Sequence, residues 1–184
     1  MEYPWYEQTD NNSPIEQGEF VLACPIVIPP ENYSEGETID VQISEINCII
    51  LSQSCDLQNG KLEIALVCPF FSLQKFIAGL EESGKNSSER KKTIENLRKG
   101  ILPGYHLLNK VNINEVEDYY IVDFRNVYGV HMSSLLKLTS KSDRIRVLPP
   151  YREHLSQAFA RFFMRVGLPQ DIKIEKEFIS IKKA

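Results

Sequence analysis

The distribution of apolar positions along the chain predicts a series of short β-strands separated by polar turns. The run Phe20–Ile28 contains Pro25, which cannot donate a ladder hydrogen bond, so this run is expected to be an edge strand or a bulged one. Two almost wholly apolar runs, Ile46–Leu51 and Leu62–Cys68, predict buried strands. Asn59-Gly60 lies between them and predicts the turn of a hairpin, because both residues tolerate positive φ.

Residues 73–99 follow a different period, which indicates helices. Apolar side chains recur at helical spacing up to Leu80, and Ser83-Gly84 is expected to end this first helix. A second helix is expected to begin at Ser87-Ser88, to carry a basic surface and to end at Gly100. The helical pair is therefore predicted to be an insertion between strands.

Strand-like runs resume beyond residue 100, and the chain then forms one long amphipathic helix. The predicted strands are Tyr105–Leu108, Tyr119–Phe124, Asn126–His131, Leu135–Leu138 and Ile145–Leu148. After Pro149-Pro150, one apolar stripe predicts a helix that Gly167 ends; its members are Tyr151, Leu155, Ala158, Phe159, Phe162 and Val166.

These elements predict an α+β protein that is mainly β. The expected architecture is a small barrel-like sheet with a helical insertion at 73–99 and a C-terminal closing helix. A doubly wound parallel sheet is not expected, because the helices do not alternate with the strands. Residues 1–17 are predicted to be an irregular N-terminal arm, 18–169 the single domain, and 170–184 a charged C-terminal tail.

The composition is that of an ordinary soluble globular domain: 184 residues, 42% of them hydrophobic and 25% charged. No apolar run approaches the ~18 residues of a membrane span, and the N-terminus lacks the features of a secretory signal. We therefore expect a cytoplasmic protein that does not bind membranes, with its four cysteines reduced. Cysteine and histidine spacings match no metal motif and no Gly-rich phosphate loop is present, so neither a metal nor another cofactor is expected.

Charge is distributed unevenly along the chain. Residues 1–63 hold twelve acidic side chains against one base, a net charge of −11, whereas residues 64–184 carry twenty bases and thirteen acids. One interpretation is that both parts are simply solvated. The other is that one part of the molecule meets a partner of opposite charge.

The exit of the first buried strand, Ile46–Leu51, combines polar residues with a thiol. Cys55 is a candidate nucleophile if a histidine lowers its pKa across space, and His106 and His131 are the two candidates. Alternatively, Ser54 and Asp56 hold a ligand at this strand exit. The structural interpretation, which the sequence favours, is that Ser54 and Asp56 cap a turn and that Cys55 is a small buried residue.

A second candidate cluster centres on Arg125. Asp123 lies two residues before it, so both side chains share one strand face and predict an ion pair at a strand bend. Alternatively, Arg125 holds a phosphate or carboxylate with both guanidinium nitrogens.

The polar face of the last helix is the third candidate. Its side chains fall at i, i+3, i+7 and i+11, and the segment 137–165 holds seven bases and two acids. The predicted binding face comprises His154, Gln157, Arg161, Arg165, Lys137, Lys141 and Arg144. It is either a solvated face or a patch for an acidic protein segment or nucleic acid. The net charge of −4 counts against nucleic acid, because phosphate contacts supply most non-specific affinity.

Four short segments carry a family resemblance: Gln17–Val21, Ile49–Ser52, Val67–Pro69 and Arg144–Pro149. In order, they resemble the opening strand, the central strand ending in serine, the following strand, and the basic strand before the closing helix of the MazF/PemK-like toxins. The resemblance implies an SH3-like barrel and a toxin–antitoxin context.

The chain departs from that family at its catalytic positions. The family's ribonucleases use an arginine just before the central strand and a threonine or serine just after the next one. Here the first region, Ser44–Asn47, has no arginine, and Ser72 is the only hydroxyl near the second position. The resemblance therefore implies a MazF/PemK-like domain without the catalytic pair. Such a domain would act as a protein-binding module in a bacterial stress or phage-defence pathway, with an antitoxin, an associated enzyme or a sigma-factor-like regulator as partner.

Two enzymatic alternatives stay open, although the sequence favours a non-catalytic role. The first is an active endoribonuclease toxin with a displaced catalytic set, drawn from Asp56, Arg125, His131 and Arg146. The second is a Cys55-dependent hydrolase or transferase. RNA is the secondary candidate partner, and a homodimer is compatible with the sequence.

Overall fold

A computed structural model of the chain describes residues 3–32, 34–36, 38, 40–113 and 116–164. In this part of the chain the fold is α+β, with eight mostly antiparallel strands and five helices. The strands are β1 Tyr6–Thr9, β2 Phe20–Ile28, β3 Gln42–Ile50, β4 Ile64–Ser72, β5 Tyr105–Ile113, β6 Val116–Asp123, β7 Tyr128–His131 and β8 Arg144–Val147. The helices are α1 Ser54–Gln58, α2 Leu73–Glu82, α3 Ser87–Arg98, α4 Met132–Thr139 and α5 Tyr151–Phe163.

The main sheet has the strand order β2-β3-β4-β6-β5, with β7 paired to the first half of β4. β4 is central because its two halves pair differently: Ile64–Val67 lies against β7, and Phe70–Ser72 lies against β6. β1 and β8 form a separate antiparallel pair. β2 and β5 are therefore the two ends of this strand order, and β7 is a further terminal strand beside β4.

The expected barrel is not closed in the described residues. β2 meets β8 through a single bridge, Glu19 to Arg146, and the two strands then separate. A register shift between Val21 and Cys24 bends β2 at this point, and Ala23 there has the left-handed φ of 49°. The prediction of a bulged edge strand at Phe20–Ile28 is thus confirmed.

Three apolar clusters form the core. The first lies between the main sheet and α5 and includes Phe20, Phe124 and the completely buried Leu155. The second lies beneath α4, around Cys24 and Leu135. The third joins α2 and α3 to the other face of β6.

The predicted helical insertion is confirmed as α2 and α3, which follow β4 and precede β5. Ser72 caps α2 by accepting a hydrogen bond from the Lys75 N–H. Asn86, one residue before the expected start, caps α3 and forms a reciprocal capping box with Glu89. Side-chain caps of this kind satisfy backbone donors that a helix leaves free at its first turn.

Two expectations about local structure were wrong. Leu135–Leu138 is part of helix α4 and not a strand, because its buried residues, Leu135 and Thr139, follow helical spacing. The predicted hairpin turn at Asn59-Gly60 instead ends α1, where the Asn59 side chain donates to the Cys55 carbonyl and Gly60 has a φ of 62°. β3 and β4 are still antiparallel neighbours.

The N-terminal arm is also less irregular than expected, since β1 lies within residues 1–17 and pairs with β8. The expected end of the last helix at Gly167, together with Arg165, Val166 and the tail 170–184, lies outside the described residues. Among the helices described above, none has the length and apolar character to cross a bilayer.

Candidate functional site

A cleft of about 540 Å³ separates the edge of β2 from β8. Its apolar lining includes Phe20, Leu22 and Ile145, and the end of β5 contributes to one wall. Exposed polar side chains at its rim include Glu45 and Lys141. The cleft therefore combines an apolar floor with a polar rim, next to an edge strand.

The cleft exists because two strands are joined at one end only. At the joined end, the Val147 N–H donates to the Gly18 carbonyl at 3.0 Å. At the bulge, the Ala23 N–H donates to Oδ1 of Asn47 at 3.0 Å, which supports the left-handed backbone there. The edges of β2 and β8 therefore diverge beyond Glu19.

A buried ion-pair network closes the joined end of the cleft. Glu19 is completely buried, and its carboxylate accepts hydrogen bonds from Arg144 Nε at 2.7 Å and from Arg146 Nη2 at 2.6 Å. Arg144 also donates to the carbonyls of Ser13 and Thr139. The network thus ties the N-terminal arm, β2 and β8 to one another.

This network accounts for part of the uneven charge of the sequence. Arg146 also pairs with Glu7 at 3.3 Å and with Glu16 at 3.1 Å, and Glu16 pairs with Arg152 at 2.8 Å. Acids of the N-terminal third are therefore neutralised inside the molecule by bases of the last third. The charge asymmetry does not by itself require a partner.

One acidic region keeps its charge free. Three exposed acids lie between β2 and β3 and a fourth lies in β3, and no ion pair within the described residues involves them: Glu31, Glu35, Asp40 and Glu45. The sequence contains no base between residues 17 and 60. Of these four acids, Glu45 lines the cleft.

The predicted binding face divides between two surfaces. His154, Gln157 and Arg161 are exposed on α5, which packs on the first core cluster. Lys137 and Lys141 are exposed on α4 and just after it, and α4 packs on the second cluster.

Two predicted members are not part of either surface as described. Arg144 was predicted to belong to this face, but it is buried with Glu19, because β8 turns its side chain into the interior. Arg165 lies outside the described residues.

Cys55 is exposed, so its expected burial was wrong. α1 carries only one buried residue, Leu57, and the thiol lies on the solvent side. Its Sγ lies 3.8 Å from Gln53 Oε1 and 3.7 Å from Asp56 Oδ1. No described contact joins this thiol to a histidine, and the nearby carboxylate of Asp56 is itself paired with Lys61 at 3.3 Å.

The serines of the same segment have structural roles. Ser54 Oγ accepts a hydrogen bond from the Gln17 N–H at 3.1 Å, and Ser52 Oγ accepts one from the Leu66 N–H at 2.8 Å. They fix the connection between β3 and β4 to its neighbours. The expected turn capping by Ser54 and Asp56 was wrong, because Ser54 binds the distant Gln17 and Asp56 pairs with Lys61.

Arg125 forms the predicted ion pair with Asp123. Its Nε and Nη2 donate to the two carboxylate oxygens at 2.8 Å each, and its guanidinium lies 4.4 Å from the Tyr105 ring centre. Burial acts to raise the pKa of Asp123, but the hydrogen bonds from Arg125 outweigh it and hold that pKa below its usual range. The arrangement is that of a structural ion pair at a strand end.

His131 and Arg146 also have structural partners. His131 caps α4, where its Nδ1 accepts from the Ser133 N–H at 3.3 Å. Arg146 belongs to the Glu19 network. Of the five candidate catalytic residues, only Cys55 and Asp56 are in described contact with each other. The structure does not assemble the five into one catalytic set.

A second cleft, which the sequence did not indicate, brings two histidines together. It measures about 320 Å³ and is lined by Trp5, Tyr119, His106 and His154 among others. The two imidazole centres lie 5.2 Å apart. His106 is on β5 and His154 on α5, so only the packing of that helix over the edge of the sheet makes them neighbours.

Among the described residues, no cluster of three or more histidine, cysteine, aspartate or glutamate side chains is placed to hold a metal ion. Comparisons of the chain with protein-family models, with curated proteins and with solved structures gave no match.

Proposed function

We propose that the chain is a protein-binding module built on an SH3-like, MazF/PemK-like fold that lacks the family's catalytic pair. Its partner lays an extended segment into the cleft between β2 and β8. The observation that carries the proposal is this cleft of about 540 Å³, which opens beside the edge strand β2. Edge strands bind extended peptides through main-chain hydrogen bonds, while pockets for alternate side chains give specificity.

The lining of the cleft suits such a segment. Leu22 and Ile145 offer apolar contacts on opposite walls, and a bound strand would place its alternate side chains toward them. The opposite side chains of the segment would face the polar rim. A partner with alternating apolar and polar residues fits this pattern.

The charge of the rim favours a basic partner. Glu45 is exposed on β3 at the rim, and Asp143 is a second exposed carboxylate there, against one exposed base, Lys141. Complementary charge speeds association and selects among partners more than it raises affinity. The proposed partner is thus a basic segment of an antitoxin, an associated enzyme or a sigma-factor-like regulator in a bacterial stress or phage-defence pathway.

Co-purification tests the proposal. Tagged chain is isolated from its native host, the stoichiometric partner is identified, and the complex is rebuilt from purified components. Glu45→Lys should weaken it roughly tenfold or more, because like charges across an interface are strongly unfavourable. Glu82→Lys is the matched control: the charge change is the same, but Glu82 is an exposed residue of α2.

Two results would contradict the proposal. One is recovery of the chain alone, or with RNA in place of a protein. The other is a rebuilt complex whose affinity Glu45→Lys and Glu82→Lys change equally.

The ribonuclease alternative has weaker support. Cleavage of RNA needs a cation for the developing phosphorane charge and a group that transfers protons. Arg125 and Arg146 both have their guanidinium groups bound to carboxylates, and His131 caps a helix. Growth arrest with RNA fragmentation on expression would revive this alternative.

The thiol alternative now needs a different test. Cys55 is exposed while the other three cysteines are buried, so selective alkylation of Cys55 follows from accessibility alone. If the chain is a Cys55-dependent enzyme, the Cys55→Ser variant must lose a hydrolase or transferase activity that is measured for the unaltered chain.

A further inference from the structure

The cleft of about 320 Å³ lies along the free edge of β5, and the proposed partner does not use it. Trp5, His106 and His154 lie on the α5 side of this edge, and Leu97, Tyr105 and Tyr119 lie on the opposite side. The cleft therefore wraps around the strand edge, and its volume is at the lower end of ordinary ligand sites, which measure ~300–1,000 Å³.

One polar atom at this cleft lacks a hydrogen-bond partner. His106 is 7% exposed, and its Nε2 is buried with no partner among the described residues. Its ring neighbours are Phe124, at 6.1 Å between ring centres, and His154, at 5.2 Å. Buried polar atoms in native structures are nearly always paired, so an orphan nitrogen beside a cleft marks the place where a ligand or a water completes the bond.

The state of the imidazole defines what it can bind. Burial, followed by the positive charges of His154 and Arg161, lowers the pKa of His106 to about 4. His106 is therefore neutral at pH 7 and carries one N–H donor and one acceptor nitrogen. A neutral imidazole suits a neutral hydrogen-bonding edge better than a phosphate or carboxylate.

The nearest cation at the cleft does not change this conclusion. Arg98 lines the cleft, but its Nε and Nη2 are bound to the carboxylate of Glu95 at 2.9 and 2.8 Å. A metal ion is also disfavoured, because no third ligand of suitable chemistry joins the two histidines within the described residues.

We propose that this cleft binds a neutral, planar nitrogen heterocycle of the size of a free nucleobase. The heterocycle lies on the α5 side of the edge, where its face packs against Trp5 and one of its ring nitrogens or exocyclic groups hydrogen-bonds to His106 Nε2. Aromatic rings favour stacked or edge-to-face partners, and the hydrogen bond selects a heterocycle over a hydrocarbon of the same shape. This inference is independent of the proposed partner cleft.

The full chain offers a direct reporter of this site, since Trp5 is its only tryptophan and lines the cleft. Adenine, cytosine and the hydrocarbon indene are titrated separately, and Trp5 fluorescence is recorded. Adenine or cytosine, or both, should change the Trp5 fluorescence in a saturable way, and indene should bind more weakly than that nucleobase. His106→Phe keeps a flat ring but removes the nitrogen, so it should weaken binding roughly five- to a hundredfold. His131→Phe, which alters an exposed histidine elsewhere, is the matched control and should leave binding unchanged.

Imidazole nitrogen NMR of the unaltered chain covers the case in which His106→Phe does not fold. The proposal requires the His106 Nε2 resonance to move with the same concentration dependence as the fluorescence. It is overturned if neither base shifts that resonance, which would mean that water alone completes the bond. Equal affinity for indene and the bases would also overturn it.

Discussion

Glu19→Gln tests the physical core of the fold. The Glu19 carboxylate accepts three hydrogen bonds from the guanidinium groups of Arg144 and Arg146, at 2.6 to 3.0 Å, and a fourth from the Glu16 N–H at 3.1 Å. The amide of glutamine removes the negative charge and turns an N–H₂ group toward a guanidinium. Arg144 then remains buried without a carboxylate partner, while Arg146 keeps its pairs with Glu7 and Glu16.

Breaking a buried ion pair from one side costs ~3–5 kcal/mol, because an uncompensated charge stays buried. That is a large part of the ~5–15 kcal/mol by which domains of this kind are stable. Urea unfolding followed by circular dichroism should show a lower midpoint with an unchanged slope. Glu45→Gln, at an exposed site, should stay within ~0.5 kcal/mol of the unaltered chain.

A loss below about 1 kcal/mol for Glu19→Gln would refute this reasoning, because such a small value fits a solvated pair. A second variant separates the ion pair from simple packing. Replacing Glu19, Arg144 and Arg146 together by leucine and methionine removes all three charges at once. It should recover most of the stability, since apolar replacement of a whole buried network is often neutral or favourable.

Three further changes have expected outcomes. Leu155→Ala should cost ~2–5 kcal/mol in urea unfolding because Leu155 is completely buried. Gln157→Ala, at an exposed position of the same helix, should change stability by less than ~0.5 kcal/mol. Similar losses of stability in the two variants would contradict the packing of α5. Gly60→Val should lower stability by ~1–2 kcal/mol through backbone strain alone, because φ is 62° there and no atom lies within 4 Å of the added Cβ. Gly79→Ala, in the interior of α2, should instead stabilise the protein. An unchanged melting temperature for Gly60→Val would contradict the assigned backbone conformation. Burial lowers the pKa of His106 from 6.5 to about 4, so as the pH falls the imidazole is protonated in the unfolded chain before it is protonated in the folded one. The folded state therefore loses stability between pH 6.5 and pH 4, and His106→Phe should remove about 3 kcal/mol of that pH dependence. Identical pH profiles for the two chains would contradict the burial of this imidazole.

Elements with a strong local pattern were predictable from the sequence. The apolar stripe of α5 and the capping signals around α3 depend on neighbours three or four residues away, and both helices were expected close to their observed starts. α4 was missed because the segment Leu135–Leu138 is apolar and short, and periodicity cannot separate a strand from a buried helix over four residues. α1 has five residues and one buried side chain, so it offers no periodic signal at all.

Features that depend on long-range pairing could not be predicted. β1 is mostly exposed and is a strand only because it pairs with β8, more than 130 residues later. Arg144 and Arg146 had the composition of a surface patch, and a carboxylate about 125 residues earlier makes them interior residues. The two histidines of the smaller cleft are 48 positions apart and share no motif. Sequence reasoning therefore named the ionic residues but assigned some of them to the wrong surface.

The most direct test of the central claim, a partner segment in the β2–β8 cleft, is site-specific photo-crosslinking. A benzophenone amino acid replaces Ser142, an exposed residue that lines the cleft, or Glu82 on α2 as the control. In the purified complex, position 142 should crosslink to the partner, and mass spectrometry should place the crosslink in an extended segment rich in lysine and arginine. An intact complex that crosslinks at position 82 as efficiently as at 142, or not at all at 142, would contradict the account.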